Sequence, residues 1–73
     1  MNKKRRDQIK ANIILLENIK CSLEQVLSDE EESFDNMQNF QNSLKGMDSE
    51  NAIDLLNESV DSLDQCIEIL KEI

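Results

Sequence analysis

The residues of this chain that could do chemistry are carboxylates, two thiols and a short run of basic side chains. The chain has no histidine and one glycine, so it lacks the parts of a Ser–His or Cys–His nucleophile and of a glycine-rich phosphate loop. Carboxylate pairs such as Asp61 and Asp64 exist, but acid–base catalysis needs a pocket that shifts a pKa. A short helical chain has little room for one. We therefore expect no catalytic residue, no cofactor site and no enzymatic activity.

The densest acidic run is the candidate for a cation site, and it consists of Asp29, Glu30, Glu31 and Glu32. Calcium sites need oxygens that converge from a bent loop. On a straight helix the same carboxylates spread outward, so we expect no specific metal site.

The two cysteines, Cys21 and Cys66, are too few for a disulfide framework and lack metal-ligand spacing. Because free cysteine often behaves as a small hydrophobic residue, we predict buried thiols. An intermolecular disulfide in an oxidising compartment stays open as the alternative.

The charge of the chain is uneven. The net charge is −8; the basic start at Lys3, Lys4, Arg5 and Arg6 contributes +4, and the remainder sets 16 acids against four lysines. Such an acidic surface argues against nucleic acid or anionic lipid as a direct ligand. The basic start has two interpretations: contact with nucleic acid or an acidic partner, or a disordered segment that offsets nearby acidic charge. We favour the second.

The composition predicts one all-α domain spanning residues 1–73. The chain has no proline and is rich in Leu, Glu, Lys and Gln, which favour helix. No apolar run reaches the roughly 18 residues of a membrane span, and Asp7, Asn12 and Glu17 interrupt any signal-peptide core. We expect a cytoplasmic protein without a membrane partner.

Two apolar seams predict two packed helices, at about 3–36 and 49–73. Apolar residues separated by alternating steps of three and four are typical of helices that pack along one another. The first seam comprises Ile9, Ile13, Leu16, Leu23, Leu27 and Phe34; the second comprises Ile53, Leu56, Val60, Leu63, Ile67 and Leu70. Lys20 and Glu30 occupy two positions of the first seam. That seam stays in phase through residues 28–33, which predicts continuous helix; a break capped by Ser28 and Glu31 is the alternative.

The predicted connection covers residues 37–48 and contains several turn-forming residues. We expect Gly46 to cap a short turn there, and Asp48 or Ser49 to cap the second helix. A connection of this length predicts an antiparallel, coiled-coil-like hairpin. The longer first helix is expected to project beyond the second at its N-terminal end.

Some apolar residues lie off the seams, and they suggest self-association. This candidate surface comprises Ile14, Leu15, Leu55 and Ile69. Two hairpins forming a four-helix bundle would cover it, whereas a monomer with scattered exposed residues is the alternative. Acids collect on the other side of the second helix, and this candidate partner face comprises Asp54, Glu58, Asp61, Asp64 and Glu68.

Two segments carry a resemblance to known proteins. Residues 30–37, EEESFDNM, resemble an "EEEEAFDNLP" signature, and residues 50–54 with 60–64 resemble "ENAIDNLEEAIDSLEEAI". With the basic start, they are similar to a family of short acidic helical proteins of Firmicutes genomes and their prophages. Gln38 stands where the family often has proline. The resemblance implies a hairpin fold and a bacterial or phage cytoplasmic setting, and it assigns no activity or site residue.

Two functions follow as hypotheses. The first is a non-enzymatic protein–protein interaction module that forms a homodimer and binds a host or phage protein. The second is an acidic, nucleic-acid-mimicking inhibitor of a host nucleic-acid-binding or defence enzyme, since carboxylates spaced along a rigid helix can imitate phosphates.

Overall fold

A computed structural model describes residues 1–37 and 42–73, which form two helices and no strand. Helix α1 is Lys3–Asp35 and helix α2 is Leu44–Lys71. The helices run antiparallel, because Arg6 contacts Ile73 at one end while Glu30 contacts Ser49 toward the other. The rod measures 57 × 14 × 13 Å. The predicted all-α helical hairpin is confirmed.

Helix α1 is continuous, so the alternative of a break within residues 28–33 is wrong. The Asn2 side chain caps its start by accepting a hydrogen bond of 2.9 Å from the Arg5 backbone N–H. At its end, the Asn36 backbone N–H donates to the Glu32 carbonyl over 3.1 Å. The acidic run remains helical because its seam positions continue the three-and-four spacing of α1 and therefore face α2.

Helix α2 begins at Leu44, earlier than the predicted start near Ser49. Ser43 is the cap, and its hydroxyl accepts a hydrogen bond of 3.2 Å from the Gly46 backbone N–H. The predicted capping role of Gly46 is wrong, because this glycine lies inside the helix and has no positive φ. Gly46 and Ser49 are instead buried seam positions where small residues let α1 approach. Residues 38–41 of the predicted connection lie outside the described residues.

The core of the hairpin is thin. Every predicted seam residue is buried or half-buried, yet only Leu27 and Ile67 among the described large apolar residues are nearly inaccessible, at 9% and 2% exposure. Two helices cannot enclose a side chain on all sides. The fold therefore leaves much of its apolar surface exposed to water.

Helix α1 extends roughly two turns beyond the level at which α2 ends, as expected. The Arg6 guanidinium (Nη1) donates a 2.8 Å hydrogen bond to the Ile73 carbonyl, which brings the last residue of the chain beside the second turn of α1. Residues 3–6 are helical, so the interpretation of a disordered basic start is wrong. In the described part of the chain, neither helix is long and apolar enough to cross a membrane.

Candidate protein interaction surface

Two polar side chains within the α1 seam find partners on α2. Lys20 Nζ lies 2.7 Å from Asp64 Oδ1, and the Ser49 hydroxyl donates to Glu30 Oε1 over 2.6 Å. The hydrogen bond from Lys20, and then its charge, lower the pKa of Asp64; the same bond raises the pKa of Lys20. Both contacts fit this alignment of the helices, and we expect them to favour it over shifted ones.

The register divides the remaining surface into two long faces. If seam residues are positions a and d of a seven-residue repeat, positions e and b flank one side and g and c the other. In an antiparallel pair, like positions lie on the same side. The e residues Lys71 and Glu17 accordingly approach to 3.9 Å between Nζ and Oε1.

One face carries the charge, and we call it the charged face. Its e and b positions include four acids of α2, two acids of α1 and two lysines: Asp54, Asp61, Asp64, Glu68, Glu17, Glu24, Lys10 and Lys71. Lys71 also lies 3.5 Å from Glu68. This face therefore combines the cross-helix ion pairs with a surplus of carboxylates.

The opposite face has no charged residue at its g and c positions through residues 12–26 and 52–73, and we call it the uncharged face. Its large apolar side chains are each 48% to 58% exposed. They are Leu15, Ile19, Val26, Leu55, Ile69 and Ile73. The positions between them hold small or neutral residues: Asn12, Ser22, Ala52, Ser59, Ser62 and Cys66. Exposed apolar side chains that gather on one side of a molecule are typical of a protein interaction site.

The structure brings together three of the four predicted self-association residues and separates the fourth. Leu15, Leu55 and Ile69 lie on the uncharged face, whereas Ile14 occupies a b position between Lys10 and Glu17. Three exposed members of the face were missing from the predicted surface: Ile19, Val26 and Ile73. Counting g and c positions on both helices together would have found them.

The predicted acidic partner face is partly engaged within the hairpin. Asp64 bonds to Lys20, and Glu68 lies near Lys71. Within residues 1–37 and 42–73, Asp54, Glu58 and Asp61 form no ion pair. Three unpaired carboxylates along α2 therefore stay available to an external cation or basic protein.

Both thiols are free and exposed, so the prediction of buried cysteines is wrong. A two-helix molecule buries only its seam, and neither cysteine lies in the seam. Cys66 occupies the uncharged face, while Cys21 occupies a b position on the charged side. The two thiols are natural reporters for the two faces.

The open end of the hairpin holds a shallow cavity of about 270 Å³. Ile9, Ile13 and Leu70 line its apolar floor, and Arg6, Lys10 and Lys71 surround it. No acidic, thiol or hydroxyl side chain of residues 1–37 or 42–73 lines the cavity. Across the described residues, no group of three acidic or thiol side chains converges to hold a metal ion.

No family model, curated protein or solved structure matches the chain.

Proposed function

We propose that this protein is a non-enzymatic interaction module of the bacterial or phage cytoplasm that self-associates through its uncharged face into a four-helix bundle. The observation that carries the proposal is the gathering of six half-exposed apolar side chains on one side of the hairpin. A homodimer would bury them and supply the core that two helices lack.

The exposed area of the chain supports a dimer of ordinary size. A compact monomer of 8.4 kDa exposes about 4,600 Å² by the usual scaling of area with mass. This chain exposes 5749 Å². The excess is on the order of 1,100 Å², while a standard interface buries about 800 Å² per partner. The excess area is comparable to the area that one copy buries in a standard interface.

The charge distribution favours a second copy as the occupant of the uncharged face. Each copy carries −8, so two copies repel unless their acids stay apart and in water. Packing uncharged face on uncharged face leaves both charged faces outside. A strongly basic partner would be drawn to the carboxylates instead.

Two neighbouring residues give a matched test. Leu15 and Ile14 are 58% and 61% exposed, but only Leu15 lies on the uncharged face. Sedimentation equilibrium of Leu15→Gln and Ile14→Gln would compare the same loss of apolar surface on opposite sides. We expect Leu15→Gln to raise the dimer Kd about tenfold or more, since two apolar contacts are lost per dimer. Ile14→Gln should dimerise like the parent chain.

A strict monomer of the parent chain at millimolar-range concentration would overturn the proposal. Equal weakening by both substitutions would overturn the uncharged face as the site. Circular dichroism of each variant establishes that the helices persist.

A second candidate function is an acidic mimic of nucleic acid that occupies the binding groove of a host enzyme. The unpaired carboxylates Asp54, Glu58 and Asp61 favour it, since they follow one another along a rigid helix. Proteins captured by the chain should then elute with salt and with duplex DNA. The triple variant Asp54→Asn, Glu58→Gln, Asp61→Asn should capture less. Capture that salt does not weaken would exclude this mechanism.

A further inference from the structure

The two ends of the hairpin carry opposite charge. Residues 1–10 hold five basic side chains and one acid, Asp7, and the end of α2 adds the base Lys71 and the acid Glu72. Residues 29–35 hold five acids and no base. Near this turn end, α2 adds Asp48 and Glu50 with a single base, Lys45. The rod is therefore positive at its open end and strongly negative at its turn end.

Two of these charges lie at the ends of the uncharged face. Arg5 occupies a g position just before the face begins on α1, and Asp29 occupies a c position just after it ends. Both side chains are exposed. Asp29 accepts a hydrogen bond of 2.9 Å from Gln25 on its own helix, which leaves its second oxygen and its charge available.

The centre of the face lies close to the midpoint between these charges. The cross-helix contacts Arg6–Ile73, Glu30–Ser49, Lys20–Asp64 and Glu17–Lys71 together place residue n of α1 beside residue about 82 − n of α2. By that register the apolar side chains extend from the level of residue ~9, where Ile73 lies, to the level of residue ~27, near Leu55 and Val26. Their centre is at residue ~18 of α1, within about one residue of the midpoint between Arg5 and Asp29.

We propose that two copies of this chain pack antiparallel through the uncharged face, with Arg5 of each copy beside Asp29 of the other. In a two-fold interface both copies use the same patch. When the rods are antiparallel, a residue on one side of the centre, measured along the rod, meets a partner residue equally far on the other side. A two-fold axis that lies in the interface at the centre of the face, and runs across the long axis of the rod, sets α1 against the partner's α1 and brings Arg5 to the partner's Asp29. The inference rests on the proposed self-association and adds the orientation.

Electrostatics separates this arrangement from the parallel one. A parallel dimer would set the two basic ends at the same level and the two acidic turn ends at the same level, where like charges repel. The antiparallel dimer sets each basic end beside an acidic turn end. The apolar contacts are non-directional, so the end charges choose the orientation.

Distances between spin labels test the orientation directly. Asn51 and Asn18 are both exposed f positions, with Asn51 near the turn end and Asn18 near the proposed axis. Each would be replaced by cysteine in a chain carrying Cys21→Ser and Cys66→Ser. At ~1.5 Å per helical residue, the antiparallel dimer separates the two Asn51 labels by about 40 Å along the rod, and the Asn18 labels by only about 3 Å. A parallel dimer gives no axial separation at either site.

A charge exchange gives a second, independent readout. Arg5→Glu and Asp29→Arg should each raise the dimer Kd about tenfold, because each places two like-charge pairs in the interface. The double variant should return to within about threefold of the parent chain. In a parallel dimer the exchange restores nothing, since Arg5 and the partner's Asp29 lie at opposite ends of the rods.

The outcomes are distinct. A long Asn51 distance with rescue by the double variant supports the antiparallel dimer. Equal distances at both sites, or no rescue, in a chain that still dimerises overturn the orientation and leave the proposed function intact. A monomer at every concentration overturns the proposed function itself.

Discussion

The two long faces of the hairpin come from the same two helices, but their flanking side chains act differently. On the charged face, Lys20 reaches Asp64 over 2.7 Å, and Lys71 lies 3.9 Å from Glu17. On the uncharged face, Ile19 and Val26 face water at 50% and 48% exposure. Side chains of the charged face form contacts between the two helices, whereas the apolar side chains of the uncharged face contact water.

This difference separates specificity from affinity. Exposed ion pairs contribute little free energy, so the charged face can favour one alignment of the helices but should add little to binding strength. The uncharged face holds the apolar area from which the proposed association would draw its free energy. The same kind of substitution should therefore change the dimer Kd differently on the two faces.

The largest difference should come from placing lysines on each face. Leu55→Lys with Ile69→Lys removes apolar contacts worth about 1 kcal/mol each, twice per dimer, and buries charge. We expect the dimer Kd to rise at least about 100-fold by sedimentation equilibrium. Asp54→Lys with Asp61→Lys on the charged face should dimerise as well as the parent chain or better, since it lowers the repulsion. Similar losses from both pairs would show that the faces do not differ.

The two native cysteines should report the same contrast between the faces without any substitution in the chain. Maleimide labelling of Cys66 should slow about tenfold as the chain concentration rises through the dimer Kd, in proportion to the monomer remaining. Labelling of Cys21 should not change. Mass spectrometry resolves the two sites within one sample, so each chain carries its own control. Protection of Cys21 in place of Cys66 would assign association to the charged face.

The helices could be predicted where seam residues carry the signal. Helix α1 follows the apolar period through its acidic run, because the phase persists where composition suggests a loop. The start of α2 could not be predicted from the same signal. Gly46 and Ser49 resemble turn residues in sequence, and only the presence of α1 beside them makes small buried residues favourable there.

The faces were harder to predict than the helices. Counting apolar residues off the seam raised self-association as a hypothesis, but it grouped Ile14 with Leu15 although adjacent residues differ by 100° around a helix. The partner of Lys20 was likewise assigned to an external surface, because a carboxylate that bonds across a hairpin looks like any other in sequence. Both errors come from treating one helix at a time.

A smaller effect is expected at the seam between the faces. Ser49→Ala removes the 2.6 Å hydrogen bond to Glu30 and leaves a half-buried carboxylate without its partner. We expect unfolding by urea to show a loss of about 1 kcal/mol. Ser28→Ala, at an exposed position of α1, is the control and should change stability little. The double variant Glu30→Ala, Ser49→Ala should lose less than the two single losses added together, and additive losses would mean that the two side chains are not coupled.

The smallest effect should be the pH dependence contributed by Lys20 and Asp64. Because the pKa of Asp64 is lowered in the folded chain, its stabilising contribution is present above the usual aspartate value and is lost as the pH falls through the lowered pKa. Asp64→Asn should therefore lower the Tm by a few degrees at about pH 7 and have no effect at about pH 2. Asp61→Asn, an exposed neighbour without an ion pair, should show no such pH-dependent loss. A Tm difference for Asp64→Asn that persists in acid would assign the effect to packing, and the charged face would then lose its role in selecting the register.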